Sequence, residues 1–275
     1  MSERIEKARR VAVVTGASGG IGQASARALR EAGFTVVGTS RNGDAGSAGD
    51  EGRLARLDVA DDRSVEALVA EVIARFGRID VLVNNAGAGL AGAAEEASMA
   101  QVQQTIDINL TGVIRMTNAV LPHMRDAGRG RIVNISSVLG VIPAPFMALY
   151  AATKFAVEGY SESLDHEVRT HGIRVSLVEP GYTKTGFEAN TRWGDGPLPA
   201  YERQRASVRT VLAEAMRTAD APEVVADVVL TAATVANPKV RYTAGRTARA
   251  ASLLRRLAPA SVFDAQIRKL NGLTA

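Results

Sequence analysis

Val11-Ala12-Val13-Val14-Thr15-Gly16-Ala17-Ser18-Gly19-Gly20-Ile21-Gly22 is the stretch that decides the fold. Its four leading apolar residues read as a strand buried on both faces. The helical spacing that begins at Ile21 runs to Ala32 and stops at Gly33. A strand that feeds a helix through glycines makes a turn where an anion can approach the backbone, its charge favoured by the helix N-terminus. The spacing Gly16-x-x-x-Gly20-x-Gly22 departs from the strict G-x-G-x-x-G fingerprint, so its place directly after the first strand carries the weight.

Outward from this turn, short Val/Ile/Leu runs alternate with helical stretches. The strands are expected at 11–15, 34–39, 53–57, 80–84, 131–136, 174–178 and 240–243. Helical spacing covers 21–32, 64–76 (opened by Asp61 and Asp62, closed by Gly77), 99–125, 150–170 and 223–235. Such repetition calls for right-handed crossovers and an α/β, doubly wound, seven-stranded parallel sheet with helices on both faces, a Rossmann sheet. No linker or repeat interrupts it, so residues 1–275 are expected to form one dinucleotide-binding domain. In 186–219 no strand fits, and Asn190, Gly194, Gly196, Pro197 and Pro199 break the helical pattern, so this stretch is expected to be a substrate lid. Residues 246–275 form a helical tail, with Ala250, Leu253, Leu254 and Leu257 on a stripe expected to pack.

Composition narrows the chemistry. The chain has 275 residues with 33 Lys+Arg against 29 Asp+Glu, a net charge of +4, and no Cys. Disulfides, thiolate metal sites and thiol catalysis are therefore excluded. Hydrophobic content of 46% and charged content of 23% are those of a globular chain, and 4% aromatic content argues against a nucleic-acid surface. The basic clusters Arg4, Lys7, Arg9, Arg10 and Arg246, Arg249, Arg255, Arg256 read as solvated surface. No apolar run reaches the ~18 residues of a membrane span. Met1 to Arg10 carries no signal-peptide core, so a cytoplasmic location is expected. His123 stands alone and His166 and His171 are five apart, which offers no metal site; carbonyl polarisation must come from hydroxyls.

The strand ends hold the candidate residues. After the second strand the chain reads Thr39-Ser40-Arg41-Asn42, with its first acid at Asp44, where an NAD-binding protein usually carries an acid for the ribose 2′-hydroxyl. A guanidinium there pairs with a 2′-phosphate, so NADP(H) is the expected cofactor, read by Arg41, with NAD(H) as the second choice. Asp58-Val59 and Asn84-Asn85-Ala86-Gly87 follow the third and fourth strands at the same edge. The fifth delivers Ser136-Ser137, and thirteen residues beyond Ser137 stands Tyr150, with Lys154 on the same helical face. A phenol titrates near 10, so a nearby ammonium and an oxidised nicotinamide are expected to lower it, while Ser137 stabilises charge on the substrate oxygen.

Together Thr15 to Gly22, Asn84 to Gly87, Ser137, Tyr150-x-x-x-Lys154 and Pro180-Gly181 resemble the short-chain dehydrogenase/reductase family over roughly 11–185. The resemblance implies Tyr150 as general acid/base, Ser137 on the substrate oxygen, Lys154 on the nicotinamide ribose and Asn109 linking Lys154 to a proton-relay water. It implies Gly16, Ser18, Gly20, Ile21, Gly22, Asp58, Val59, Asn85, Ala86, Gly87, Pro180, Gly181, Thr183 and Thr185 as cofactor contacts, and direct hydride transfer without a metal. Many tetrameric members finish soon after the seventh strand, whereas this chain runs thirty residues past Gly245. A homo-oligomer is therefore expected, a dimer before a tetramer.

The loop Val138 to Leu149 is apolar beside the reacting carbon, and Phe187 and Trp193 in the lid can close over it. An apolar ketone, aldehyde or secondary alcohol is the expected substrate. Two other classes compete: a redox sensor that binds NADP(H) without turnover, which would lack Tyr150 or Lys154, and a membrane-associated lipid-binding protein using the basic tail.

Overall fold

The structure, a computed structural model, describes residues 9–43 and 53–273. Arg4, Lys7 and Asp44 lie outside them. In chain order the elements are β1 (Val11–Val14), α1 (Gly20–Glu31), β2 (Thr35–Ser40), β3 (Leu54–Arg56), α2 (Asp62–Phe76), β4 (Val81–Asn84), β5 (Leu90–Ala91), α3 (Met99–Ile106), α4 (Gly112–Asp126) and β6 (Gly130–Ile135). There follow α5 (Ala148–Val168), β7 (Ile173–Pro180), β8 (Arg192–Trp193), α6 (Glu202–Arg217), α7 (Pro222–Thr234), β9 (Arg241–Ala244), α8 (Arg246–Leu257) and α9 (Ala260–Leu270). Seven strands form one parallel sheet in the order β3-β2-β1-β4-β6-β7-β9. The doubly wound α/β architecture read from the sequence is the one observed.

Alternation along each strand explains the two cores. Val11 and Val13 face one side with Leu82, Ile132 and Val175, covered by α2, α4 and α5 through Leu68, Val72, Met116, Val120 and Leu164. Ala12 and Val14 face the other with Val83, Val133 and Val178, covered by α1 and α7 through Leu29, Val225 and Val229. Local signals set the helix ends. The Asp61 carboxylate accepts from Arg63 N at 3.0 Å, and Gly77, at φ +72, closes α2 through its N–H to the Ile73 carbonyl. In the core, register pairs Asn84 with Asn134. The amides link as Asn84 Nδ2 to Asn134 Oδ1 (2.9 Å) and Asn134 Nδ2 to the Ser161 hydroxyl (2.8 Å), fixing α5 against the sheet.

Three expectations are corrected. The helical stretch 99–125 is broken by a π turn, Asp107–Thr111, because Asn109 bonds a backbone loop and not its own helix. In 186–219, β8 pairs in parallel with β5, and irregularity ends at Tyr201, after which α6 runs without Gly or Pro. In the tail, Ala248, Phe263 and Ile267 are buried, while Leu253 and Leu257 of the expected packing stripe are 58% and 74% exposed. The small Ala248 fits against Gly181, and this turns the leucines outward. No helix among the described residues is long and apolar enough to cross a membrane.

Candidate active site

β1 sits between β2 and β4, where the crossovers reverse, and the candidate residues gather at the carboxyl ends of these strands. Gly16 and Gly20 adopt φ +67 and +53, and a Cβ on Gly22 would lie 2.3 Å from the Gly16 carbonyl oxygen. The turn is stitched to the next strand end. Asn85 N and Ala86 N donate to the Thr15 hydroxyl (2.9 and 3.0 Å), and Asn85 Nδ2 donates to the Thr15 and Gly16 carbonyls (2.9 and 3.0 Å). α1 begins at Gly19 with no side-chain cap and no acid in its first turn, leaving its first N–H groups without intrahelical acceptors. Ser18 is exposed and Ile21 half-buried beside it. A cleft of about 500 Å³ opens here, lined by Gly20, Gln23, Lys184 and Thr185 among others. Thr185 comes from the loop after β7, and a Cβ on Gly20 would lie 2.9 Å from it. An uncapped, acid-free helix start closed in by glycines fits a dinucleotide pyrophosphate.

The flanking positions also converge. Ala17 N donates to the Thr39 carbonyl (2.8 Å), placing the end of β2, and the exposed Arg41 just after it, beside the glycine turn. The Asp58 carboxylate accepts from Ala60 N (3.0 Å) and holds its own turn, whereas Asp61 caps α2; Val59 is buried. Gly87 lies beside Asn109, with a Cβ there 3.4 Å from Oδ1. Pro180 ends β7, Gly181 meets Ala248 of the tail, and Thr183 bridges to Asp220, so the loop carrying Thr185 is anchored on both sides.

At the end of β6, Ser137 accepts from Leu139 N (3.1 Å), and its side chain stands near enough to the Tyr150 phenol to favour its ionised form. Tyr150 and Lys154 are buried one turn apart on α5. Lys154 Nζ donates to the Ile135 carbonyl (2.8 Å) and lies 5.6 Å from the Tyr150 ring centroid. Burial pushes Lys154 down to about 8 against the attraction of Glu158, which follows one turn later. Burial also lifts the Tyr150 phenol well above its ordinary value, with the Ser137 side chain opposing. Among the protein's own groups desolvation dominates the Tyr150 shift, and the Lys154 ammonium hydrogen-bonds a backbone carbonyl beside it.

The apolar wall is formed by Met147, Ala91, Leu139 and Trp193 around Tyr150, and the Phe187 ring stands 5.6 Å from that of Tyr150. The Arg209 guanidinium covers Trp193 at 4.3 Å. Asn109 accepts from Ala88 N (2.8 Å) and donates to the Ala88 carbonyl (2.9 Å) and the Thr153 hydroxyl (3.2 Å), so it touches the helix of Tyr150 between its two key residues.

Two residues escape a sequence reading. Thr153 joins Asn109 to the Tyr150 carbonyl (2.7 Å). Glu96 is buried and anchors the segment 186–219: it accepts from Ala93 N (3.0 Å) and Leu198 N (2.9 Å) and pairs with Arg205. Burial raises the Glu96 carboxyl, but the two N–H donors and Arg205 outweigh it and hold it below its ordinary value. Only the acid pair Glu95-Glu96 in an otherwise small and apolar stretch, Ala91 to Ala97, hints at this role.

A family model for short chain dehydrogenase matches residues 10–195. A 3-ketodihydrosphingosine reductase of Bacteroides thetaiotaomicron is 46% identical over 180 residues, 66% of each chain. The uncharacterized oxidoreductase YusZ of Bacillus subtilis is 32% identical over 276 residues, 95% of this chain and 98% of its own. Among solved structures, a short-chain dehydrogenase from Streptomyces avermitilis superposes with a TM-score of 0.81 at 32% identity, covering 97% of both chains. A metagenomic short-chain oxidoreductase in complex with NADP gives 0.66 at 32% identity over 86% of this chain and 96% of its own.

Proposed function

The chain belongs to the short-chain dehydrogenase family and is an oxidoreductase of carbonyl and alcohol groups, and from that premise we propose that it uses NADP(H) on an apolar ketone, aldehyde or secondary alcohol. One observation carries the reading: Ser137 stands beside the buried Tyr150, whose ring meets Phe187 and an apolar cluster that includes Trp193, with Lys154 buried one turn behind. The named activity of the Bacteroides relative, a ketone reduction, agrees with it.

The glycine turn (Gly16, Ser18, Gly20, Ile21, Gly22) and Thr185 hold the pyrophosphate. Asp58, Val59, Asn85, Ala86 and Gly87 border the adenosine and ribose, Pro180, Gly181 and Thr183 the nicotinamide, and Arg41 the 2′-phosphate. When bound, the reduced cofactor supplies the hydride. Ser137 donates to the substrate oxygen as negative charge develops there. Tyr150, held protonated by burial, gives its proton to that oxygen, so the carbonyl gains one hydride and one proton and leaves as the alcohol. The Lys154 ammonium stabilises the phenolate left behind, and Asn109 with Thr153 fixes the helix that carries both. Oxidation is the reverse and needs Tyr150 as phenolate.

Absorbance at the nicotinamide band, with NADPH and NADH in parallel over a panel of apolar ketones, tests the reading. NADPH is expected to be the better donor, and Arg41→Asp to invert the preference. Equal use of both cofactors by wild type and variant would remove Arg41 from the account.

A further inference from the structure

We propose that the tail docks on an anionic lipid surface through the exposed face of α8. The inference stands on α8 and α9 and does not depend on the chemistry proposed above.

Leu253 and Leu257 share one face of α8 with Ala250, and the two leucines are 58% and 74% exposed. Arg246, Arg249 and Arg256 stand one turn from these residues on the same side. Past the Ala258-Pro259 turn, Val262 adds a further apolar side chain, 54% exposed. Across 246–275 six basic residues (Arg246, Arg249, Arg255, Arg256, Arg268, Lys269) meet one acid, Asp264. The tail's five net positive charges exceed the +4 of the whole chain, so the rest of the protein is slightly acidic. Exposed leucines bordered by arginines are the pattern of a helix lying in a membrane interface, with apolar side chains below the headgroups and guanidiniums at phosphate level.

A second copy is the competing occupant, and charge argues against it. A two-fold contact would press two faces carrying the same positive charge, Arg246, Arg249 and Arg256 from each copy, against one another. The packing of the tail fixes which face is free. Ala248 packs on Gly181, and a Cβ on Gly272 would lie 2.5 Å from the Ser207 hydroxyl of α6. The tail is thus held against the loop after β7 and against α6, which leaves the leucine face of α8 turned away from the body of the protein.

Co-sedimentation of the full chain with phosphatidylcholine vesicles, with and without phosphatidylserine, tests this. Binding is expected only with phosphatidylserine, weakening as salt rises. Arg249→Gln with Arg256→Gln should lower partitioning about tenfold or more, and Leu253→Asp with Leu257→Asp should abolish it while NADPH binding persists. No binding to the mixed vesicles, or binding that both variant pairs leave intact, overturns the proposal. So does a leucine variant that turns a dimer into a monomer without altering vesicle binding, which makes the face a subunit contact. Should a variant lose NADPH binding through misfolding, the lipid and salt dependence of the wild type decides alone.

Discussion

Raising the pH should discharge Lys154 before any other group of the catalytic cluster, and this sets the alkaline limit of reduction. Burial brings the ammonium down to about 8, while the same burial holds the Tyr150 proton above the ordinary phenol range. Below about 8 the cation is present and can stabilise the phenolate formed as Tyr150 donates. Above it the lysine is neutral and Tyr150 must form phenolate without a counter-charge. Loss of a single proton gives a tenfold fall per pH unit, so kcat/KM for carbonyl reduction should be about a hundredfold lower at about pH 10 than on the plateau. Glu158 provides an internal control, because its attraction holds Lys154 up against desolvation. At ~6 Å, the spacing of side chains one turn apart, and an effective dielectric of ~20, full charges would interact by ~3 kcal/mol. Arg241 Nε, 2.8 Å from the Glu158 carboxylate, and burial of that carboxyl both reduce this. Glu158→Gln should therefore move the alkaline limb down by about one pH unit. The assay is kcat/KM for an apolar ketone at fixed ionic strength, from about pH 6 to about pH 10. A profile flat to the upper end, or one that falls only near the ordinary lysine value, would refute the reasoning.

Gly22→Ala places a Cβ 2.3 Å from the Gly16 carbonyl oxygen and 2.4 Å from Asn85 Nδ2. Overpacking of this kind costs about 2 kcal/mol or more, and NADPH titration by fluorescence should show cofactor affinity falling with it. Asn109→Ala strands the Ala88 amide and carbonyl, a loss of about 2–4 kcal/mol in urea unfolding; a variant as stable as wild type contradicts the bonding described. Glu96→Ala leaves Arg205 and two backbone N–H groups without their acceptor. Breaking that buried pair should cost about 3 kcal/mol locally, read as faster limited proteolysis between Thr185 and Tyr201, and unchanged cleavage there would remove Glu96 as the anchor of that segment.

The sheet was legible because its strands are buried on both faces, so continuous apolar runs at 11–14 and 81–83 have few other uses. Tyr150 and Lys154 were legible as neighbours because helical periodicity alone places them one turn apart. The remaining features depend on long-range partners. Asn109 occupies a π turn because its amide bonds Ala88, a contact between elements no periodicity connects. β5 and β8 hold together through backbone groups over two residues each, too short for any side-chain pattern. For α8, the spacing of Leu253 and Leu257 told which residues share a face, whereas only the fit of Ala248 against Gly181 decides which face turns inward. The sign of the Tyr150 shift is similar: the nearby cation is visible in the chain, and the burial that dominates the shift is not.

Central to the account is one phenolic proton delivered to a substrate oxygen, and Tyr150→Phe tests it most directly. Single-turnover reduction of an apolar ketone by prebound NADPH should fall by two orders of magnitude or more, with NADPH affinity and unfolding midpoint near wild type, because the ring and its contacts with Phe187 and Met147 remain. Reduction at the wild-type rate in the phenylalanine variant would contradict the account and assign the proton to another group.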